Sequence, residues 1–451
     1  MQTKQSKTFD SSIQSLVISG RHWGLWLEFG VLLLTIFAFW HHAPPIRDRW
    51  LWLLGLAVPA FALRFLIWRR IVSWTPLLGF ALGLLALSLL NYATAPMQRE
   101  SYWIVMSRPL LGIWLLVAFG EMVRAAGRMD GLLLASAGLG LLLGLAALFS
   151  SDWTTKSILF EPLLAILPRL DARSVLPDML LRFNVNEIAG ALAWISPLMV
   201  GLALRPALEQ ERWRPLLRTI SAIAAALLLI ALVLGQSRFA IGGVLIGLAL
   251  LLWMQTRGRW RAGLVTALML IGLLQAVILF NLLPSSGDAG LNERDENTIS
   301  TRGEIWASSL KMLNGHPVTG IGMAMFRAAV RQPAYEIEYY VQQGRGGPPH
   351  AHNEWVQMAA EMGWPGLLAF IGMQASAGWM LWRAGRRGSP TVRHLAITLA
   401  SAWIAHAVYG LGDAIPLWDR FAFVFWWLAG LSAALFLCAT RIEPKLKVET
   451  P

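Results

Sequence analysis

The sequence predicts an all-α integral membrane protein with about twelve transmembrane helices. Hydrophobic residues make up 56% of the 451 positions, and charged residues make up only 14%. The apolar residues form continuous runs of about 20 rather than the spaced stripes of amphipathic helices, and a helix of that length crosses the hydrocarbon core of a bilayer. The runs are too long for the strands of a membrane β-barrel, which need only about 10 residues.

The apolar runs follow one another along the chain, so we expect residues 1–451 to form a single transmembrane domain. The predicted spans are 24–40, 50–68, 72–91, 101–120, 131–149, 187–204, 217–235, 239–255, 263–283, 365–382, 395–412 and 421–438. Because eleven further spans follow the first, it is interpreted as a retained helix and not as a cleaved signal peptide. The single cysteine, Cys438, lies in the last span and has no partner for an intramolecular disulfide.

The basic residues predict the orientation of the spans. If the N-terminus is placed in the cytoplasm, the loops on that side carry far more Lys and Arg than Asp and Glu, as the rule for short loops requires. Both termini are then cytoplasmic. The net charge of +12 mostly reflects this topology, and no soluble basic domain remains that could bind nucleic acid.

The same orientation places two long segments outside the membrane. Residues 150–186 connect spans 5 and 6, and residues 284–353 connect spans 9 and 10. Residues 158–167 form an apolar stretch too short to span, which either lies in the membrane interface or plugs the bundle. The second segment is mostly polar, and we expect it to carry short helices and the functional residues.

Local patterns in 284–353 predict two helix starts. The sequence from Thr301 to Glu304 fits a capping box, with Thr301 as the N-cap and Arg302 in the first turn. Asn353 is a favourable N-cap for a second helix, which places His352 just ahead of it and which Gly363 should stop. Helix N-termini favour anions, so an arginine and a histidine at two of them suggest a site for a phosphorylated ligand.

Arg238 belongs to the very short turn between spans 7 and 8, which begins at Gln236. This position holds the side chain at the mouth of the bundle. Position alone leaves two interpretations open, because an arginine there can bind a ligand or can extend towards lipid phosphates.

Together these motifs resemble a known family. The stretches that carry the resemblance are 302–306, 316–322, 352–357 and 361–367, supported by Ser237-Arg238 and by Asn184-Val185-Asn186. Their order and spacing, with a large outer loop in the C-terminal half of about twelve spans, are similar to the O-antigen ligase and O-antigen polymerase superfamily.

The resemblance implies an inverting membrane glycosyltransferase of the GT-C type in the cytoplasmic membrane. Such an enzyme takes a glycan from an undecaprenyl-diphosphate carrier and passes it to a hydroxyl of a glycolipid or glycan acceptor, with 284–353 as a periplasmic or extracellular catalytic loop. Ligase activity is preferred over polymerisation of lipid-linked repeat units. The motifs do not separate these activities from protein O-glycosylation.

The resemblance also assigns roles to single residues. Arg238 and Arg302 would hold the diphosphate, and His352 would deprotonate or orient the acceptor. The residues expected to bind substrate are Asn353, His350, Asn186 and Asp413. The choice between His350 and His352 as the base stays open, since a neutral imidazole of either can accept a proton near neutral pH.

Neither a metal nor another cofactor is expected. The predicted outer segments contain no Asp-x-Asp motif, and Glu293-Arg294-Asp295 is interpreted as a solvated charge run. Arginine stays protonated and binds phosphate oxygens in pairs, so it can stabilise a diphosphate leaving group without a metal.

Two other classes of protein remain as alternatives. A transporter of lipid-linked oligosaccharides would also have many spans, although transporters often contain internal repeats with matching broken helices, and none is evident here. A non-catalytic scaffold of the cell envelope is the weaker alternative. The concentration of polar residues in one outer segment favours an enzyme.

Overall fold

The computed structural model describes most of the chain. The described residues are 24–36, 55–68, 71–97, 102–127, 129–151, 183, 185–205, 213–256, scattered positions between 258 and 270, and 299–440. Within them the regular structure is helical, and the only β-bridge joins Ser151 to Phe183. The predicted ninth span, the apolar stretch 158–167 and the charge run 293–295 lie largely or wholly outside the described residues.

Fourteen α-helices are assigned in these residues, and we number them in chain order. The first eight are α1 (Gly24–Ile36), α2 (Ala57–Trp68), α3 (Pro76–Thr94), α4 (Tyr102–Ala126), α5 (Asp130–Ser150), α6 (Val185–Ala203), α7 (Arg214–Gly235) and α8 (Arg238–Gln255). The others are α9 (Ile299–Gly315), α10 (Phe326–Ala329), α11 (Glu338–Gln342), α12 (Glu354–Arg387), α13 (Pro390–Tyr409) and α14 (Phe423–Thr440).

Seven helical stretches in the described part of the chain are long and apolar enough to cross a membrane: α3 to α8, and residues Arg420–Thr440. The helices α1 and α2 are apolar but shorter. These findings agree with a polytopic membrane protein. The total of twelve spans stays a prediction.

Small residues set the distance between α8 and α13, which pack along each other. A Cβ atom added to Gly243 would lie 2.5 Å from the Ala405 carbonyl oxygen, and one added to Gly247 would lie 2.6 Å from that of Ser401. Such close approach through glycine is common between membrane helices. The contact is antiparallel, so it brings the start of α8 beside the end of α13.

The segment before α12 has a small hydrophobic core of its own. Buried side chains of α9, α10 and α11 meet the first turns of α12 there, and they include Ile305, Met312, Phe326, Tyr339 and Ala360. Glu361 of α12 accepts a hydrogen bond from the Phe326 backbone N–H at 2.8 Å. This core fixes the start of α9 relative to the start of α12.

The predicted capping box at Thr301 is wrong. Helix α9 begins at Ile299, so Thr301 lies inside its first turn instead of at the N-cap. The Glu304 carboxylate accepts a hydrogen bond from the Tyr339 backbone N–H at 3.1 Å. The Glu304 side chain, which the local pattern assigned to the cap, therefore bonds to α11. Arg302 still lies in the first turn, as predicted.

Gly363 kinks α12 where the sequence predicts a stop. Its backbone dihedrals are φ 65° and ψ −172°, which are not helical, yet the helix continues beyond them to Arg387. The Trp364 N–H donates to the Pro317 carbonyl oxygen at 2.8 Å. A partner outside the helix thus satisfies a backbone group that the kink releases.

Candidate functional site

Four helix ends meet at one end of the bundle. They are the starts of α8, α9 and α12 and the end of α13, followed by the turn Gly410 to Asp413. Three of the four are helix N-termini, whose backbone N–H groups and dipoles attract negative charge. These ends carry the polar side chains that the sequence singles out, with the exception of Asn186 at the start of α6.

Arg238 is the first residue of α8 and occupies the predicted tight turn. Gln236 closes α7 with a left-handed backbone, φ 49°, and Ser237 is the N-cap of α8. Phe239, the next residue, stacks on the guanidinium of Arg302 at 5.1 Å from the ring centroid. The neighbourhood of Arg238 is thus joined to the first turn of α9.

Arg302 also contacts the turn after α13. One of its Nη atoms donates a hydrogen bond to the Gly412 carbonyl oxygen. Gly412 lies flat against Phe239, since a Cβ atom there would come within 2.2 Å of the ring. The two arginines predicted to hold a diphosphate therefore lie at the starts of helices that both contact Gly412, through Phe239 and through Arg302 itself.

His352, His350 and Asp413 form a polar cluster beside these arginines. His352 Nδ1 lies 3.2 Å from Asp413 Oδ1, and His350 Nδ1 lies 3.7 Å from the same oxygen. The two imidazole rings meet edge to face at 4.4 Å between their centroids. His352 is mostly buried and has a left-handed backbone, φ 48°. Its Nε2 is buried and has no hydrogen-bond partner among the described residues.

The cluster shifts the pKa values of two of its members. Burial, and then the neighbouring His352, lower the pKa of His350 from 6.5 to about 4. Burial alone would raise the pKa of Asp413, but the hydrogen bond from His352 and the charges of His350 and Arg302 outweigh it and lower the pKa. Asp413 is therefore a carboxylate at neutral pH, and His350 is a neutral imidazole.

Asn353 is the N-cap of α12, as predicted. Its Oδ1 accepts a hydrogen bond from the Val356 N–H at 3.0 Å, and its Nδ2 donates to the Leu411 carbonyl oxygen at 3.0 Å. These contacts give Asn353 a clear structural role beside the substrate-binding role expected from the sequence.

Asn186, which was also expected to bind substrate, lies at the start of α6. The preceding residue, Val185, approaches the α7–α8 turn, since a Cβ on Gly235 would be 3.0 Å from its Cγ1. Asn186 therefore lies near the turn that carries Arg238. Its substrate-binding role stays a prediction.

The three polar groups of the cluster could in principle hold a cation. One ligand atom from each of His350, His352 and Asp413 lies within 4.8 Å of the others. The His352 backbone N–H donates to His350 Nδ1 at 3.2 Å. A cation bound through this nitrogen would have to displace the hydrogen bond.

A buried polar pair, Glu354 and His406, was missed by the sequence analysis. His406 Nε2 in α13 lies 3.2 Å from Glu354 Oε2 at the start of α12, and both side chains are almost fully buried. Trp194 of α6 packs edge to face on His406 at 4.4 Å. A histidine inside an apolar helix was a usable signal, because ionisable residues are rare within membrane helices and usually functional.

Comparison with known families bears on the same part of the chain. Residues 223–371 match the O-antigen ligase family model. The match confirms the resemblance to the O-antigen ligase and polymerase superfamily. No curated protein matches the chain at a significant level.

The segment that matches the O-antigen ligase family model contains three of the four site elements. It extends from α7 into α12 and includes Arg238, Arg302 and His352. Asp413 and His406 lie beyond its end. The structure joins these later residues to the O-antigen ligase segment through the turn after α13.

Proposed function

We propose that the protein is an O-antigen ligase-like glycosyltransferase of the GT-C type. It would transfer a glycan from undecaprenyl diphosphate to an acceptor hydroxyl at the outer face of the cytoplasmic membrane, with inversion at the anomeric carbon. One observation carries the proposal: His352 contacts Asp413 beside Arg302, and His352 and Arg302 both lie in the family-matched segment.

In the proposed reaction, His352 acts as the general base. If Nδ1 carries the proton and donates a hydrogen bond to the Asp413 carboxylate, the Nε2 lone pair can accept the proton of the acceptor hydroxyl. The hydroxyl oxygen then bonds to the anomeric carbon from the face opposite the leaving group. The bond from that carbon to the diphosphate breaks, and undecaprenyl diphosphate departs with the electron pair.

The arginines would stabilise the leaving diphosphate. Negative charge grows on it as the glycosidic bond breaks, and preorganised cations lower the energy of that state. Arg238 and Arg302 lie at the starts of α8 and α9, so the helix dipoles act in the same direction. His350 is the alternative base, but it lies farther from Asp413 and already accepts the His352 N–H.

Metal independence is part of this proposal, because two arginines would neutralise the diphosphate. Transfer by the purified protein should therefore continue in excess EDTA, measured as product formed from lipid-linked donor and acceptor. Complete loss in EDTA that Mg²⁺ or Mn²⁺ restores would instead assign leaving-group stabilisation to a bound cation.

The acceptor distinguishes ligase from polymerase. Both reactions use the same donor site, but a ligase needs a second, different acceptor, whereas a polymerase extends another lipid-linked repeat. With donor alone, a ligase should give no product longer than the donor, and product should appear once a glycolipid acceptor is added. A ladder of lengthening lipid-linked glycans from donor alone would establish the polymerase.

Site variants link this assay to the structure. His352→Ala, Arg238→Ala and Arg302→Ala should each abolish transfer while the protein still folds and inserts. Arg327→Ala, a basic residue in the same segment but outside the cluster, should remain active. Near wild-type turnover by His352→Ala would show that the base is assigned wrongly, and His350→Ala would then be the variant to compare. A transporter would instead move lipid-linked donor across vesicles without forming a product.

A further inference from the structure

The turn from Gly410 to Asp413 connects all the elements of the site. Three successive carbonyl oxygens of this turn accept hydrogen bonds from three different groups. Gly410 accepts from the Glu354 backbone N–H at 2.8 Å, Leu411 from Asn353 Nδ2, and Gly412 from Arg302. Since Asp413 is the next residue, the position of its carboxylate depends on how this turn is held.

The buried pair Glu354–His406 lies directly beneath the turn. Its two side chains are 1% and 0% exposed, and aromatic rings of Trp194, Trp403 and Phe425 surround His406. Burying two ionisable groups in such surroundings is costly, and replacing them with apolar residues is often neutral or stabilising. Fold stability alone therefore gives little reason for this pair, which favours a functional role.

Gly410 is the residue of the turn that contacts both members of the pair. Its N–H donates to the His406 carbonyl oxygen at 2.9 Å, and a Cβ atom at Gly410 would lie 2.9 Å from Glu354 Oε2. The Asp413 N–H in turn donates to the Tyr409 carbonyl oxygen at 3.0 Å. The carboxylate of Glu354 thus touches one end of the turn, and Asp413 forms the other end.

We propose that Glu354 and His406 are positioning residues that hold Asp413 against His352. The inference rests on the proposed function, in which Asp413 orients His352 as the base. The pair packs against Gly410 and so restricts the position of the turn. The turn determines where the Asp413 carboxylate lies, and this carboxylate contacts His352 Nδ1. Neither Glu354 nor His406 contacts the substrate.

A double-mutant cycle with purified protein tests this inference. His406→Ala should lower kcat by about 100-fold, the size of effect expected when a catalytic group is misplaced by about 1 Å, and should leave the donor KM nearly unchanged. Asp413→Asn should give a comparable loss. If His406 acts only through Asp413, the double variant should be no less active than Asp413→Asn. His406→Ala and Asp413→Asn should also shift the acid limb of the pH profile of kcat in the same direction.

Two further variants keep the test independent of folding. His406→Gln keeps a polar side chain beside Glu354 and should retain part of the activity if His406→Ala unfolds. Gly410→Ala, whose φ of −61° suits alanine, should lower kcat because its Cβ displaces the Glu354 carboxylate. His394→Gln is the matched control on α13, since His394 is also buried and bonds to the Gly201 carbonyl oxygen at 2.8 Å. It should leave kcat and the pH profile unchanged.

The possible results separate the two proposals. Losses that multiply in the double variant, or an unchanged pH profile in His406→Ala, would overturn the positioning role and leave the proposed function intact. Wild-type activity of Asp413→Asn would overturn both the orienting role of Asp413 and this inference. Equal effects of His394→Gln and His406→Gln would mean that any buried polar change on α13 acts through stability alone.

Discussion

At the scale of single residues, the histidine cluster makes stability depend on pH. The folded state lowers the pKa of His350 from 6.5 to about 4. Between these values the unfolded chain binds a proton at His350 and the folded protein does not, so stability is lost as the pH falls from about 6.5 to about 4. The lowered pKa of Asp413 acts mainly near and below 3.8. Burial raises the pKa of Asp419 from 3.8 to about 6, so Asp419 contributes in the opposite direction within this interval.

His350 should therefore lower the midpoint of thermal unfolding in detergent as the pH falls from about 7 to about 4.5. His350→Asn should remove this contribution, so its midpoint should fall less than that of the wild type over the same interval, because Asn can still accept the His352 N–H but does not titrate. His316→Asn, in the same segment but outside the cluster, is the control and should keep the slope. An identical slope in His350→Asn would show that another group titrates here.

Residues whose partners are near in sequence could be predicted, and residues with distant partners could not. Asn353 caps Val356, three positions later, and Arg238 follows a two-residue turn. The pair His352 and Asp413 is separated by 61 positions, and the Arg302 contact with Gly412 by 110. Asp413 was named from its place in a loop, but only the contact between the start of α12 and the turn after α13 brings it to His352.

At the scale of elements, the kink in α12 joins the segment that carries His352 to the predicted span 365–382. Gly363 has φ 65° and ψ −172°, a conformation that is essentially restricted to glycine. A Cβ atom there would also lie 2.6 Å from the Pro317 and Val318 carbonyl oxygens. The position therefore resists any side chain, both through its backbone and through its neighbours.

Gly363→Ala should destabilise the protein by about 1–3 kcal/mol from backbone strain, with the close contact adding to this loss. Gly378→Ala is a matched control on the same helix, because no atom lies within 4 Å of a Cβ at Gly378. Alanine there should be neutral or stabilising by up to about 1 kcal/mol. Thermal unfolding of both variants in detergent measures the difference, and equal melting temperatures would contradict the strain argument.

The two predicted helix starts had different outcomes, since Asn353 caps α12 as predicted but Thr301 lies inside α9. Gly363 was expected to stop the helix because a glycine two residues before a proline is a local break signal, but the helix continues beyond the kink. Thr301 was wrongly taken as an N-cap because its pattern, Thr-x-x-Glu, also occurs inside helices whose Glu bonds elsewhere. Here Glu304 bonds to Tyr339 of α11, a contact that depends on the small core of the segment before α12. Local patterns contain no information about such competing partners.

At the scale of the whole molecule, hydropathy predicts the bundle but not its internal contacts. Continuous apolar runs give the positions of most helices in the described residues, since lipid requires each span to satisfy its own hydrogen bonds. Buried polar contacts between helices do not follow from hydropathy. Glu28 of α1 bonds to Arg64 of α2 and to Trp114 of α4, and nothing in the three separate runs indicates this pairing.

The predicted orientation leads to the last prediction. If the loop between α12 and α13 is cytoplasmic and the predicted span 365–382 crosses the membrane once, the segment that carries His352 lies on the opposite side. We test this with single cysteines in a Cys438→Ala background. Gln343→Cys lies in an exposed position of the segment before α12, and Ser389→Cys lies in an exposed position between α12 and α13.

An impermeant thiol reagent added to intact cells whose cytoplasmic membrane is accessible should label Gln343→Cys and leave Ser389→Cys unlabelled. After the membrane is permeabilised both should react, which controls for the reactivity of each site. The proposed undecaprenyl-diphosphate-linked donor would reach the arginines from the outer leaflet only in this orientation. Labelling of Ser389→Cys alone in intact cells would invert the topology, place the histidine cluster in the cytoplasm and rule out transfer at the outer face.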